Sequence, residues 1–311
     1  MKKIFKFVKQ NIIGFIIGGI VFGSLGVYAA VVITSKEITY EDNTSIGATN
    51  VQDAIDKLNT KATTKIAEAK KECPDGYVCK TNQFAKDSWA TIATNIKSGN
   101  TSSYKVGDEK MVNMGSLGTH TLRVANTSSC TNGETSQTAC GFVVEFVDII
   151  LTHVMNSTAT NVGGWPASEL RAYVNGTVYN ALPSDLQNVI ATTTVVSGHG
   201  STSGEANFTS SDKLYLLSTK EVWGKDVTSN TIGSDTAESE TKQLDYYKNK
   251  GVTTSNYSGA IKQYNGSNYY WWLRSTYSIN SCDFFSVGSY GFWSGSSVAN
   301  TNGISPAFRI A

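Results

Sequence analysis

The chain has 311 residues, 40% of them hydrophobic, which is enough for one large domain or two small ones with a packed core. Only 16% are charged and the formal net charge is +1, so the sequence lacks the basic excess of nucleic-acid-binding proteins. Much of the polarity comes from Ser, Thr and Asn, which are common in turns and hydrogen-bonding surfaces. We expect no nucleic-acid partner.

Residues 1–34 are predicted to form a basic cytoplasmic tip followed by a transmembrane helix. Lysines within residues 2–9 precede an uncharged run from Ile12 to Thr34, which is long enough to span a bilayer. Lysines before an apolar segment hold that end in the cytoplasm. We therefore expect a protein that crosses the cell membrane once, with the rest of the chain outside the cell. A cleaved signal peptide is the alternative, because the VYA motif at residues 27–29 suits a signal peptidase, and the protein is then secreted.

Residues 35–82 are predicted to form a helical stalk. Apolar residues recur at three- and four-residue steps between Thr49 and Lys71, Asn50 can cap the start, and Pro74 stops the helix. The apolar stripe is narrow and rich in alanine, which favours a stalk over a core helix. A homo-oligomer formed through the anchor and the stalk remains an open alternative.

Four of the five cysteines are predicted to form two local disulfides, as the exported compartment permits. Cys73 and Cys79 bracket a turn-forming insert, and Cys130 and Cys140 bracket a polar loop. Neither pair has the two-to-four-residue spacing of a zinc knuckle, so we expect no metal. Cys282 is left without a partner.

Residues 83–311 are predicted to form an α+β domain with few helices, short strands and long loops. Glu145 and Asp148 interrupt the most apolar strand, and buried carboxylates are unfavourable unless paired, so we expect structural partners for them rather than catalysis. The predicted strands are 142–151, 195–196, 214–217, 271–274 and 307–310, and the predicted helical segments are 166–175, 183–190 and 218–221.

Six motifs in this region appear in the order GGWPASELRAYVN, LPSDLQNVI, DKLYLLSTKEVW, DYY, WWLRS and GISPAFRI. In this order they resemble an uncharacterised bacterial family of exported domains associated with the C-type-lectin-like fold. That fold also includes formylglycine-generating enzymes and the variable proteins of diversity-generating retroelements. The resemblance covers residues 84–311. It implies that the first and last strands pair, that the termini lie together and that irregular loops cluster at the other side.

Residues 276–302, between WWLRS and PAFRI, are predicted to be an irregular ligand-binding segment. They are rich in Ser, Tyr, Asn, Phe and Gly, and contain no Lys, Glu or Gln. Tyrosine offers rigid contact area while Ser, Asn and Gly offer adaptable hydrogen bonds, as in antibody loops. In the retroelement variable proteins that this family is similar to, mutagenesis of Asn codons yields mostly this residue set. The predicted ligand contacts are Tyr277, Ile279, Asn280, Asp283, Phe285, Ser289, Tyr290, Phe292 and Asn300.

The leading hypothesis is a surface-displayed binding or adhesion protein that recognises an extracellular protein or glycan through this segment, without a cofactor. The first alternative is a cell-envelope enzyme that uses Cys282 or His199. Formylglycine-generating relatives need paired cysteines, of which this region has one, and HExxH and GxSxG motifs are missing from the sequence. The calcium-binding triplets of true C-type lectins are missing too. The second alternative is a structural envelope or pilus-like component.

Overall fold

The chain divides into two units, Met1–Tyr77 and Val78–Ala311. The structure, a computed structural model, describes residues 47, 53, 55–63, 81–200, 204–224 and 235–311. The predicted anchor over residues 1–34 and the Cys73–Cys79 pair lie outside the described residues. Within the ranges just given, no helix has the length and apolar character that a membrane crossing requires.

The described part of the first unit is helical at Asp53 and over residues 55–63, inside the helix predicted between Thr49 and Lys71. Lys57 Nζ lies 3.0 Å from Asp53 Oδ2, one turn earlier on the helix. Ion pairs with this spacing support helices by about 0.3–0.5 kcal/mol. Helical periodicity is thus confirmed over these residues, and the role of a stalk stays a prediction.

The second unit is an α+β domain, as predicted. Its strands are β1 Glu109–Asn113, β2 Thr119–Asn126, β3 Val143–Phe146, β4 Leu151–His153, β5 Thr193–Ser197, β6 Phe208–Asp212, β7 Lys262–Tyr264, β8 Ser267–Tyr269, β9 Trp271–Thr276, β10 Asp283–Val287, β11 Trp293–Ser297, β12 Asn302–Ile304 and β13 Ala307–Arg309. Its α-helices are α1 Gln83–Lys86, α2 Trp89–Lys97, α3 Gly164–Ala167, α4 Glu169–Tyr173, α5 Tyr179–Ala181, α6 Ser184–Gln187, α7 Thr219–Trp223 and α8 Asp245–Asn249. A π-helical turn, Val174–Val178, joins α4 to α5, and 3-10 turns occupy Gly115–Leu117, Gln137–Ala139, Glu238–Glu240 and Ser258–Ala260.

Serine side chains set where three of these helices begin. Ser88 caps α2, Ser168 caps α4 and Ser218 caps α7, each by accepting a hydrogen bond from a first-turn backbone N–H. Ser218 and Glu221 complete a capping box, in which each side chain binds the other residue's backbone N–H. These contacts satisfy amides that the start of a helix leaves unpaired. The helical segments predicted at 166–175 and 218–221 are confirmed, although Ser168 divides the first into α3 and α4.

Two main sheets build the domain. The first is antiparallel with the order β1-β2-β3-β13, and the second has the order β11-β10-β9-β12-β4 with β12 parallel to β9. Both tryptophans of the WWLRS motif, Trp271 and Trp272, are fully buried because β9 is an interior strand covered on both faces. Their indole N–H groups bind Ala260 O at 3.1 Å and His153 O at 2.8 Å. The predicted strands at 271–274 and 307–310 are therefore confirmed as core strands, in different sheets.

The strand predicted over residues 142–151 is two strands. β3 ends at Phe146, and the chain then bends into β4 of the second sheet. Asp148 lies in this bend, where its carboxylate accepts a hydrogen bond of 3.0 Å from Gln263 N. A backbone amide is one of the structural partners expected for this residue. The expected strand at 214–217 is reduced to a single bridge between Tyr215 and Ala307.

The ends of the domain lie close together, as the lectin-like resemblance implies. Phe84 packs against Phe142 with ring centroids 6.1 Å apart, and Ile310 N donates to Phe142 O at 3.1 Å. The implied pairing of the first and last strands is wrong for the described strands. β1 and β13 lie at opposite edges of their sheet, because β13 pairs with β3 instead.

Candidate functional site

The segment 276–302 contains a β-hairpin, β10–β11, rather than the irregular chain that its composition predicts. The hairpin pairs Asp283 with Ser297 at one end and Val287 with Trp293 at the other. Strand residues advance by about 3.3 Å, so the two ends of this ladder are about 13 Å apart. The predicted contacts are divided between these ends, with Tyr277, Ile279, Asn280, Asp283 and Asn300 at the first and Ser289, Tyr290 and Phe292 at the second.

The first end is built from three loops, residues 156–163, 277–283 and 298–301, which we call the three-loop face. Asn161, only 1% exposed, holds the first two loops together. Its Nδ2 donates to Asn280 O at 2.7 Å and to Asp283 O at 3.0 Å, and its backbone N donates to Ser281 O at 2.8 Å. One side-chain amide thus fixes the path of the 277–283 loop.

The third loop joins the face through Val298. Its carbonyl accepts hydrogen bonds from Met155 N at 2.9 Å and Asn156 N at 3.2 Å, and its N–H donates to Cys282 O at 2.9 Å. Asn300 is exposed, and its amide donates to Ser296 Oγ at 3.1 Å. Backbone hydrogen bonds therefore connect all three loops, and the face has a defined shape before any ligand binds.

Two aliphatic side chains stand out from the three-loop face. Ile279 is 71% exposed and Val162 is 60% exposed. Val162 follows Asn161 in sequence and Ile279 precedes Asn280. Because Asn161 and Asn280 are hydrogen-bonded, the two aliphatic side chains belong to adjoining loops. The polar groups beside them are half-buried, and Asp283 Oδ2 accepts from Asn280 Nδ2 at 2.9 Å. The face presents two exposed aliphatic side chains together with amides and one carboxylate.

Phe285 does not contribute to this surface. It is fully buried, and it packs edge-on against Tyr277 at 4.9 Å and Trp293 at 6.3 Å between ring centroids. The prediction that Phe285 touches a ligand is therefore wrong, because β10 is an interior strand of its sheet. Its ring instead supports Tyr277, which is half-buried. Phe284 is fully buried too.

The second end is a tight turn from which Tyr290 projects, 72% exposed. Gly291 follows with φ of +90°, and a Cβ at this position would lie 2.1 Å from Tyr257 O. Phe292 is half-buried against Tyr257, with ring centroids 6.2 Å apart. Ser289 is half-buried too. This end presents one aromatic side chain on a fixed turn.

Cys282 and His199, the two residues of the enzyme hypothesis, have these surroundings within the described part of the chain. Partial burial and the neighbouring Asp283 carboxylate raise the pKa of the Cys282 thiol, which lowers the fraction of the reactive thiolate. His199 Nδ1 is buried and has no hydrogen-bond partner among the described residues, so no acid orients this nitrogen. Within the same residues, no cluster of three His, Cys, Asp or Glu side chains could hold a metal ion.

The buried carboxylates are structural, as expected for Glu145. Its oxygens accept hydrogen bonds of 2.9 Å from Arg123, Lys262 and Tyr247, and the carboxylate itself is inaccessible. Complete burial lowers the pKa of Lys262 to about 8, although the Glu145 carboxylate acts in the opposite direction. The cluster joins β3 to β7 and α8 inside the core.

The residues that sequence reasoning missed are Asn161 and Val162. They lie directly before the GGWPASELRAYVN motif, which marks the start of α3. Their position directly before a helix is the one sequence signal that could have identified them. The start of the helix holds the neighbouring end of the loop in place.

The family model described as a domain of unknown function (DUF6273) matches residues 146–311, more than half of the chain, and the chain therefore belongs to this family. The match includes both ends of the β10–β11 hairpin and all six motifs, and it leaves out β1, β2 and most of β3. No curated protein and no solved structure matches the chain.

Proposed function

We propose that this chain is a surface-displayed binding protein whose three-loop face contacts an extracellular protein or glycan. The observation that carries the proposal is the exposure of Ile279 and Val162 on adjoining loops that Asn161 holds in place. Exposed apolar patches mark interaction sites, and adjoining loops can supply such a patch. Because the loops are already ordered by hydrogen bonds, little conformational freedom is lost when a ligand binds.

The aliphatic character of the face favours a protein ligand over a glycan. Ile279 and Val162 have no hydrogen-bonding groups in their side chains, whereas a glycan surface is covered with hydroxyls that need such partners. An apolar side chain on a protein partner is a better match for them. The half-buried Asp283 carboxylate at the edge suits a lysine or arginine of that partner.

In this proposal, residues 1–34 anchor the chain in the cell membrane, or are cleaved to secrete it, and residues 35–82 form the stalk. Residues 83–311 form the displayed domain, for which we propose the C-type-lectin-like fold. Its support is the meeting of the domain ends at Phe142 and the resemblance of its motifs. The Cys130–Cys140 disulfide, with Cα atoms 4.9 Å apart, suits an oxidising compartment outside the cytoplasm.

We also propose that the hairpin segment is diversified, as in the retroelement variable proteins it resembles. If so, sequence variation should be confined to positions that are not fully buried. Substitutions are compatible with the exposed and half-buried positions of the 277–283 loop, while Phe284, Phe285 and Val287 are fully buried. Sequencing this segment in many isolates tests the idea, which fails if changes are as frequent at the three buried positions as in the loop.

Adhesion of cells that display the full chain tests the binding proposal. The probes are surfaces coated with serum proteins and surfaces coated with mucin glycans. We expect attachment to the protein coat and a loss of about tenfold or more in the double variant Ile279→Ser, Val162→Ser. Leu58→Ser, which changes an exposed apolar side chain of the first unit, is the matched control and should stay within about twofold.

Two outcomes would contradict the proposal. One is full attachment by the double variant when its urea unfolding midpoint equals that of the original chain. The other is attachment to neither coat. Attachment to the mucin coat alone would keep the binding role and replace the protein ligand by a glycan.

A further inference from the structure

A second concave site lies between the loop that follows β2 and the helices α7 and α8. Its cavity volume is about 430 Å³, and it shares no residue with the three-loop face. Small-molecule sites have volumes of about 300–1,000 Å³, so the space suits a small ligand. Its lining residues are Ser128, Ser129, Thr131, Asn132, Lys220, Gly224, Lys242, Gln243, Asp245 and Lys248. We call it the lysine cleft.

One wall of the lysine cleft is held rigidly by Asp245. Its Oδ2 accepts hydrogen bonds of 3.0 Å from Thr127 N and Ser128 N, and its Oδ1 accepts one of 2.8 Å from Ser128 Oγ. The Cys130–Cys140 disulfide closes the loop of which this wall is part. The wall therefore keeps its shape independently of a ligand.

The carboxylates at the lysine cleft are already engaged by the protein. Asp245 accepts the three hydrogen bonds just described. Glu134 Oε2, next to the lining, accepts from Thr131 N at 3.1 Å and from Asn132 N at 2.7 Å. Glu238 lies 3.6 Å from the Lys220 ammonium. These acidic groups are directed toward donors of the protein itself.

The ammonium groups of the lysine cleft, in contrast, keep unused N–H donors. Lys242 Nζ donates to Ser128 Oγ and Ser129 O, both at 2.7 Å, which leaves one of its three protons. Lys220 is ion-paired with Glu238 at 3.6 Å, a distance longer than a hydrogen bond, so this contact does not use up its N–H donors. Lys248, in the last turn of α8, is exposed, and its ammonium group has no hydrogen bond or ion pair with a described residue. Three lysines and one aspartate are among the described residues of the lining.

We propose that the lysine cleft binds a small molecule that carries an oxyanion, such as a carboxylate or phosphate, on a polar body. Ammonium groups with free protons form charge-assisted hydrogen bonds to such oxygens, which are stronger than neutral ones. The hydroxyls of Ser129 and Thr131 and the amide of Asn132 are placed to bind the polar body. None of the described residues of this lining is aromatic, so they offer no ring for a ligand to stack on. The inference stands apart from the proposed function, because no residue of the three-loop face takes part.

Calorimetric titration of the full chain at low ionic strength tests this site, with glucuronate, inorganic phosphate and glucose as probes. We expect glucuronate to bind and glucose, its uncharged counterpart, to bind at least about tenfold more weakly. Phosphate shows whether the anion alone is sufficient. Binding should weaken as salt is added, because the site depends on exposed charges.

The double variant Lys242→Gln, Lys248→Gln should lose glucuronate binding by about tenfold or more. Lys250→Gln removes a charge from the same stretch of chain without touching the lining, and it should bind as the original chain does. Unchanged near-ultraviolet circular dichroism shows that the variants are folded. The proposal is overturned if glucuronate and phosphate both fail to bind, if glucose binds as well as glucuronate, or if Lys250→Gln is as damaging as the double variant.

Discussion

The guanidinium of Arg274 donates two hydrogen bonds of 2.6 Å to the carboxylate of Glu221, and both side chains are completely buried. Glu221 is also the capping-box residue of α7, so the pair connects the interior strand β9 to the start of that helix. The three remaining N–H groups of Arg274 donate to Val196 O at 3.3 Å, Leu216 O at 2.8 Å and Thr138 Oγ1 at 3.1 Å. All five guanidinium donors thus have an acceptor, which makes the arginine of the WWLRS motif a structural residue.

Glu221→Gln should lower the free energy of unfolding by about 3–5 kcal/mol, because it leaves the Arg274 charge buried without a counterion. Urea denaturation followed by tryptophan fluorescence measures this. Glu205→Gln makes the same chemical change at an exposed position, where the expected effect is within about 0.5 kcal/mol. Equal midpoints for the two variants would show that the pair does not stabilise the fold.

Stability should fall as the pH falls below about 4.5, the usual pKa of glutamic acid. Burial alone raises the pKa of the Glu221 carboxyl, but Arg274 outweighs it and the net pKa is lowered; Arg123 and Lys262 do the same for Glu145. A carboxylate with a lowered folded-state pKa stabilises the fold above its unfolded-state pKa, and this contribution disappears as the pH drops through the folded-state value. Urea midpoints measured from pH 7 to pH 3 test this, and a flat profile would refute it.

Loss of the Cys130–Cys140 disulfide should lower the free energy of unfolding by about 2–3 kcal/mol, as expected for a short closed loop. The bond joins residues 10 apart in sequence. The double variant Cys130→Ser, Cys140→Ser tests this, and a reducing agent should have the same effect on the original chain. Cys282→Ser removes the free thiol instead and should change the unfolding midpoint little. A midpoint that does not respond to the reducing agent would contradict the prediction.

Asn161→Asp should loosen the three-loop face. The substitution keeps the shape of the side chain, but it replaces the NH₂ donor by a carboxylate oxygen next to the carbonyls of Asn280 and Asp283. An unsatisfied buried group destabilises by about 1–3 kcal/mol, and more when it is charged. Hydrogen exchange of the 277–283 amides should become faster.

The matched control for that experiment is Asn180→Asp, an exposed asparagine of α5. It should leave the exchange of the 277–283 amides unchanged. Equal exchange rates in both variants would mean that Asn161 does not hold the loop.

Strong local patterns made part of the fold predictable. The β-branched run around Val143 and Val144 forms an interior strand, and the proline and leucine spacing after Pro166 predicts helical structure. Glu145 was predictable as a partner of arginine because an unpaired carboxylate in an apolar strand is too unfavourable to persist. In each case, the local sequence alone supplies the physical reason for the structure that forms.

The hairpin was not predictable in the same way. The β11 sequence, Trp293-Ser-Gly-Ser-Ser297, is poor in residues that favour strands, and pairing with β10 overrides this preference. Composition also gives no information on register. It also does not show that β10 is an interior strand, which buries Phe285, or that Ile279 and Tyr290 lie at opposite ends of the hairpin. The contribution of Asn161 depends on contacts more than 100 residues away in sequence.

The Gly291 turn has a consequence for how this surface can change over generations. Any side chain at this position would collide with the Tyr257 carbonyl, so the turn does not tolerate a substitution of that glycine. The 277–283 loop has exposed and half-buried positions, and Asn161 and Val298 hold it through its backbone carbonyls, which every residue type has. New specificities are therefore expected to arise by lengthening or rewriting that loop, while the opposite turn keeps the strands aligned.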